Sequence, residues 1–155
     1  MVKGWARGAM SEGGSIALPW PGVFELKLTY NEGVAFGFLK GLGVFLSPIA
    51  IAISLGACWY SLKHPKEGAA SHIAMGLLAS GALGNLIDRL FRGRVTDMFY
   101  ARIIDFPVFN VADSCITVAT VLLILIWWRE ALAVKEVKPV VGEPAVDETI
   151  PLPTE

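Results

Sequence analysis

The sequence predicts a mainly α, polytopic membrane protein: a helical bundle that carries a small β element at one end. Three observations lead there. The 155 residues are 54% hydrophobic and only 17% charged, against roughly 25% charged in an average soluble domain. Charge is also missing from long stretches. Gly41 to Leu62 and Gly68 to Ile87 hold no Lys, Arg, Asp or Glu, and Phe106 to Trp128 holds one carboxylate, Asp113. Each stretch is near the ~20 residues that a helix needs to cross the hydrocarbon core. Three spans follow by counting, because three buried helices of a soluble protein would leave too little polar sequence to cover them. The length suits one domain. A net charge of −1 argues against a nucleic-acid partner, since phosphate binding needs a basic excess.

The elements can be taken in chain order. Met1–Val23 is Gly-rich and weakly patterned, and it is not a signal peptide, because no apolar core follows Lys3 and Arg7. From Phe24 to Tyr30, Phe24, Leu26, Leu28 and Tyr30 alternate with Glu25, Lys27 and Thr29, which predicts a short amphipathic strand. Asn31, Glu32 and Gly33 make a turn, and Val34–Leu39 is an apolar patch before the first span. Lys63 and Lys66 in the short connection to the second span favour the cytoplasmic side, as do Trp127, Trp128 and Arg129 at the end of the third. The strand and the loop Asp88–Asp105 then lie outside, against the pull of Arg89, Arg92, Arg94 and Arg102 in that loop. Gly76, Ser80 and Gly84 form a small-residue stripe for helix packing. Cys58 and Cys115 sit in apolar runs and read as small buried residues, with no metal or disulfide spacing. Lys135 to Glu155 is an acidic, Pro-rich stretch without periodicity, expected to be a disordered cytoplasmic tail.

Polar groups at membrane depth are costly, so each is a functional candidate. Asn85 and Asp88 share one face of the second span; Asn110, Asp113 and Thr117 share one face of the third. Two helices thus bring an Asn and an Asp each to the same boundary, and Asp97, on the loop between them, can fold back over it. A carboxylate pair in a dry setting shares one proton, so one member can polarise water while the other donates to a carbonyl oxygen. Asn31 and Asn110 can hold such geometry without adding charge. His64 and His72 offer no Ser–His or Cys–His arrangement there. A hard metal would find oxygens but no dedicated spacing. For single residues blander readings stand beside these. Asp88 and Arg89 can be an interfacial ion pair that ends a helix, Asn85 can be interhelical glue, and Asp113 can be a helix-start carboxylate favoured by the dipole. Asp105 reads as a solvated loop residue.

Three blocks carry a resemblance. Leu28-Thr29-Tyr30-Asn31-Glu32-Gly33-Val34-Ala35-Phe36-Gly37 pairs an Asn with a GxAFG run. Gly84-Asn85-Leu86-Ile87-Asp88-Arg89, continued by Gly93-Arg94-Val95-Thr96-Asp97, follows a GNxxDRxxxGxVxD pattern. Phe106-Pro107-Val108-Phe109-Asn110-Val111-Ala112-Asp113 follows FPxFNxAD. In this order the blocks resemble those of the lipoprotein signal peptidases (signal peptidase II), from about Lys3 to Trp128. The resemblance implies an aspartic endopeptidase with Asp97 and Asp113 as catalytic dyad, and with Asn31, Asn85, Asp88, Arg89 and Asn110 shaping the site or holding substrate. It implies cleavage of diacylglyceryl-modified prolipoproteins before the lipidated Cys, in the bacterial cytoplasmic membrane near its outer face, with no metal or organic cofactor. It further implies a β-cradle at about residues 16–40, a peptidase domain over residues 1–134, a monomer, and contacts with membrane lipid. Family members have four membrane helices and this chain shows three. Lys3 matches a Lys that closely follows the first helix, so the chain is expected to be an N-terminally truncated form.

Two other readings compete. A small ion or proton transport subunit would use Asp88 and Asp113, but would spread carboxylates across membrane depth, whereas here they gather at one end. A non-catalytic relative that binds lipoprotein precursors would keep the binding groups and lack turnover.

Overall fold

The computed structural model describes residues 2–20, 22–33 and 43–136. In chain order its elements are α1 (Val2–Ala9), β1 (Ser15–Trp20), β2 (Phe24–Asn31), a 3-10 turn (Gly43–Leu46), α2 (Ser47–Lys63), α3 (Ala69–Arg92), β3 (Val95–Tyr100), a second 3-10 turn (Arg102–Ile104) and α4 (Val111–Glu136). The expected apolar patch Val34–Leu39 lies outside the described residues. So does the expected tail, except that Lys135 and Glu136 close α4.

The uncharged stretches become the helices. Among the described residues α3 and α4 are long and apolar enough to cross a membrane. α2 has 17 residues, about 26 Å of helix at 1.5 Å per residue, a little under the ~30 Å hydrocarbon core. Pro48 in its first turn suits a helix start, where a missing N–H costs nothing. α3 stops at Gly93, whose φ of 70° ends the helix in the left-handed region. The chain reverses there and enters β3 two residues later.

The helices pack through small residues. α2 meets α3 through Ala50, Ala82 and Leu86, and Ala57, Ala74, Met75, Ala79 and Leu123 form a second cluster that includes α4. At the α3–α4 crossing a Cβ on Gly81 would lie 2.6 Å from the Ala112 carbonyl oxygen and 2.7 Å from Ile116 Cγ1, and one on Gly84 would lie 3.1 Å from Ala112 Cβ. This corrects the expected stripe in part. Gly84 does meet α4, but Gly76 faces open space and Ser80 is exposed, so the close approach is made by Gly84 together with Gly81. Large side chains such as Leu55, Trp59, Ile73, Ile124 and Leu125 remain exposed on the helix surfaces, as expected where the surrounding solvent is lipid.

The same logic corrects the cysteines. Cys58 is exposed and Cys115 only partly covered, because an apolar helix position in a bilayer need not be buried in protein. The N-terminal segment is also more ordered than its composition suggested. α1 presses Ala6 onto Leu28 and Met98, and β1 pairs antiparallel with β2. The expected outer loop is largely regular too: Asp88–Arg92 finish α3, and β3 completes a three-stranded antiparallel sheet in the order β1-β2-β3. A bulge between Leu26 and Thr29 shifts the β2–β3 register. It breaks the strict alternation expected for β2, so the fully covered positions are Glu25 and Leu28.

Gly81→Ala should lower stability by about 1–3 kcal/mol, because the methyl meets the α4 backbone as well as the Ile116 side chain. Gly76→Ala should be neutral or stabilising by about 0.5–1 kcal/mol. Thermal unfolding in detergent distinguishes the two, and equal shifts would show that the α3–α4 approach is not tight.

Candidate active site

The sheet and the two long helices meet at one end of the bundle. β3 is the junction. On one side it pairs with β2, with Thr29 opposite Asp97 and Asn31 opposite Val95, so Asn31 reaches Asp97 diagonally. On the other side Phe109 bridges to Phe99: Phe99 N–H donates to the Phe109 carbonyl at 2.8 Å and Phe109 N–H returns a bond at 2.9 Å. That bridge delivers the next residue, Asn110, to Asp97 and starts α4 there.

Asn110 caps α4. Its Oδ1 accepts the N–H of Ala112 at 2.7 Å and of Asp113 at 3.3 Å, while its own N–H donates to Asp113 Oδ2 at 3.0 Å. This is a capping box with Asp in place of the usual Glu. The Asn110 amide nitrogen donates to Asp97 Oδ1 at 2.6 Å and to Asn85 Oδ1 at 3.1 Å. Asn85 Nδ2 in turn donates to Asp113 Oδ1 at 2.7 Å. Two buried amides thus connect the two carboxyls. Both oxygens of Asp113 accept N–H donors at the positive end of a helix, a setting made for negative charge. Asp97 is 3% exposed. Burial raises its carboxyl to about 6, and the nearby Asp113 pushes the same way, while hydrogen bonds from Asn110 and Asn31 and the charge of Lys3 pull back.

Asp88 is also buried, but its company differs from the expected ion pair. Its carboxylate lies 3.1 Å from Lys3 Nζ and 3.5 Å from groups of Arg7 and Arg92, and it accepts Thr96 N–H at 2.9 Å. Arg89 turns the other way. It makes a long 3.5 Å contact to the Gly33 carbonyl, its Nε is buried without a hydrogen-bond partner among the described residues, and it feels the charges of Asp113 and Asp97. The reason is helical phase: neighbours in sequence point about 100° apart, so one helix turn sends Asp88 toward α1 and Arg89 toward the carboxyl pair. Asp105 is exposed, as expected, with a left-handed φ of 47° and a hydrogen bond from the Tyr100 hydroxyl at 2.5 Å.

Asn31, Asp97 and Asp113 open into a cleft of about 530 Å³ with Ser114 and Thr117 beside them and apolar walls of Phe106, Pro107, Val108, Phe109, Ile116 and Val118. A few converging polar groups in an apolar cleft are the usual form of a small-molecule or peptide site. The chemistry available is acid–base: two carboxyls in one hydrogen-bond network can hold a single proton between them. Among the described residues no group of three or more His, Cys, Asp or Glu comes together to hold a metal ion. The structure therefore assembles Asn31, Asn85, Asp97, Asn110 and Asp113 in one network, with Arg89 at its edge and Asp88 one step behind. Sequence reasoning missed Arg7 and Thr96, whose only signal is proximity, and gave Lys3 no role.

Comparison with known proteins places these features in company. The sequence model of the signal peptidase (SPase) II family matches residues 1–129. A lipoprotein signal peptidase from Gloeobacter violaceus is 42% identical over 125 residues, covering 81% of this chain and 72% of its own length. One from Streptococcus thermophilus is 40% identical over 110 residues, covering 71% of this chain and 72% of its own. A solved bacterial membrane enzyme, determined by the in meso method at 2.3 Å, superposes with a TM-score of 0.80 at 32% identity over 90% of this chain and 85% of that one. A second, at 1.9 Å, gives a TM-score of 0.73 at 33% identity over 81% and 82%.

The raised Asp97 carboxyl has a stability consequence. With the proton held near pH 6 in the folded state and near ~3.9 in the unfolded one, stability is fully present below about pH 4 and falls as pH rises through 6. Asp97→Asn removes that loss. The variant should melt higher than the parent at pH 8, and the gap should close below pH 4. A constant gap across that range would show that Asp97 is not held protonated by burial.

Proposed function

Because the chain belongs to the signal peptidase II family, we propose that it is a membrane-embedded aspartic endopeptidase that removes signal peptides from prolipoproteins. Its substrate carries diacylglycerol on the Cys that follows the scissile bond, and the cut falls on the N-terminal side of that Cys. The observation that supports this most is the meeting of Asp97 and Asp113, from different elements, in one half-apolar cleft at the end of an apolar bundle.

In this reading Asp113 is the carboxylate and Asp97 carries the proton. Asp113 takes a proton from a water held between the two, and the water oxygen attacks the scissile carbonyl. Asp97 gives its proton to the carbonyl oxygen as the tetrahedral intermediate forms. Collapse breaks the C–N bond: one hydroxyl of the intermediate returns its proton to Asp97 as the carboxyl C=O re-forms, and the amine of the lipidated Cys leaves with the proton that Asp113 had taken. Asn85 and Asn110 hold both carboxyls in register without adding charge. Asn31 supports Asp97 from the sheet, Arg89 offsets the negative charge of the pair, and Asp88 fixes the end of α3. The apolar wall from Phe106 to Phe109 with Ile116 and Val118 receives acyl chain or signal-peptide helix. No step calls for a metal or organic cofactor, and every group comes from one chain, so a monomer suffices.

The topology we propose has three spans, α2, α3 and α4, in a bacterial cytoplasmic membrane. Lys63, Lys66 and Arg129 mark the inner side, and the sheet and carboxyls lie at the outer face. Residues 1–134 form the peptidase domain, and the acidic Pro-rich stretch from 135 to 155 is an extension without chemistry of its own.

Asp97→Asn and Asp113→Asn should each reduce cleavage of a diacylglyceryl-prolipoprotein by a factor of ~100 or more, with folding retained. A gel-shift assay in detergent reads this directly, and turnover in either variant removes the dyad. Asp105→Asn should leave the rate unchanged, because Asn accepts the left-handed backbone there. Loss of activity with an intact fold would assign Asp105 a role.

A further inference from the structure

Among the described residues the amide of Asn85 bonds both the Asn110 amide and the Asp113 carboxylate, and its orientation decides what it offers each. As it stands, Oδ1 accepts from Asn110 Nδ2 at 3.1 Å and Nδ2 donates to Asp113 Oδ1 at 2.7 Å. Turned over, it would set an N–H against the Asn110 N–H and an oxygen against the Asp113 oxygen. Something must hold it. Lys3 Nζ donates to Asn85 Oδ1 at 2.9 Å, to the Gly84 carbonyl at 3.2 Å, and pairs with Asp88 Oδ2 at 3.1 Å. An ammonium has donors only, so the flipped amide would meet it nitrogen to nitrogen. The ammonium is itself fixed. Asp88 is held by Arg7, Arg92 and the Thr96 N–H, and α1 is pinned to the sheet through Ala6 against Leu28 and Met98.

We propose that Lys3 is a positioning residue of the peptidase, acting through Asn85. Its ammonium locks the Asn85 amide so that Nδ2 stays on Asp113, and α1 is thereby part of the working site. The inference rests on the peptidase reading above. Lys3 touches neither carboxyl of the dyad, so its effect reaches the reaction only through Asn85 and through its charge.

The test is a double-mutant cycle on purified protein, with kcat and KM for a diacylglyceryl-prolipoprotein measured in detergent for Lys3→Met, Asn85→Ala and the pair. Lys3→Met should lower kcat by roughly 10–100-fold, the usual cost of a misplaced reacting group, with KM little changed. The double variant should be no worse than Asn85→Ala alone, because the two act as one unit. Lys3→Arg should restore most of the rate. The alkaline limb of the pH–rate profile should move upward in Lys3→Met, since a positive charge that favours the Asp97 carboxylate has gone; a purely structural role leaves that limb in place. If Lys3→Met does not fold, Lys3→Gln, which keeps an N–H donor without the charge, is read in the same cycle. Multiplicative losses in the double variant, or an unchanged kcat in the folded single variant, overturn the proposal. Undiminished cleavage by Asp97→Asn in the same assay would instead remove the dyad, and no cleavage by the unmodified chain would overturn the peptidase reading.

Discussion

The side chain of Asn110 is fully buried, so water cannot satisfy its amide and every donor and acceptor must be met by protein. Each is. The oxygen caps α4, and the nitrogen spans from Asp97 on the sheet to Asn85 on α3. One residue therefore ties together the three elements that build the site, and the cost of an unpaired buried amide, ~1–3 kcal/mol per lost partner, resists any of them moving alone. The close α3–α4 contact at Gly81 follows from the same constraint. Asn85 can reach Asp113 only if the first turn of α4 lies against α3, and a single methyl on Gly81 would hold it off.

Charge is arranged in two layers around that amide. Behind it, Asp88 is surrounded by Lys3, Arg7 and Arg92, an excess of positive charge over one carboxylate. In front, Asp97 and Asp113 face the cleft, where Arg89 feels both charges and the charge of Lys3 reaches Asp97. Burial of Asp97 raises its carboxyl to about 6, while Asp113 sits in the first turn of α4. In the proposed mechanism this difference in surroundings is what separates donor from acceptor within a pair of identical side chains. Three of the arginines that run against the topology expected from loop charge have partners of their own: Arg92 pairs with Asp88, Arg102 with Glu25, and Arg94 stacks over Tyr30.

Much of this was legible in the sequence. Uncharged stretches of helical length gave α2, α3 and α4, and alternation gave β2, because both signals are local periodicities. The gathering of Asn31, Asn85, Asp97, Asn110 and Asp113 was readable because polar groups at membrane depth stand out against Leu, Ile and Ala. What was not legible depends on partners distant in sequence. α1 holds two glycines in eight residues and owes its order to Ala6 packing on Leu28 and Met98. β3 reads as loop because its residues are covered on both faces and do not alternate. The partner of Asp88 was misread as adjacent Arg89, when the true partners are 81 to 85 residues away on α1 and four residues on at Arg92. Of the small-residue stripe on α3 only Gly84 meets α4, and Gly81 beside it went unread, because glycine spacing alone does not reveal which glycines meet backbone.

The account turns on one proton shared between Asp97 and Asp113, and the pH dependence of kcat/KM for the unmodified chain tests it most directly. With two protons the pair has no base and with none it has no acid, so the profile should be a bell whose limbs belong to the pair jointly. A rate that rises to a plateau through a single ionisation, with no alkaline fall, would contradict it.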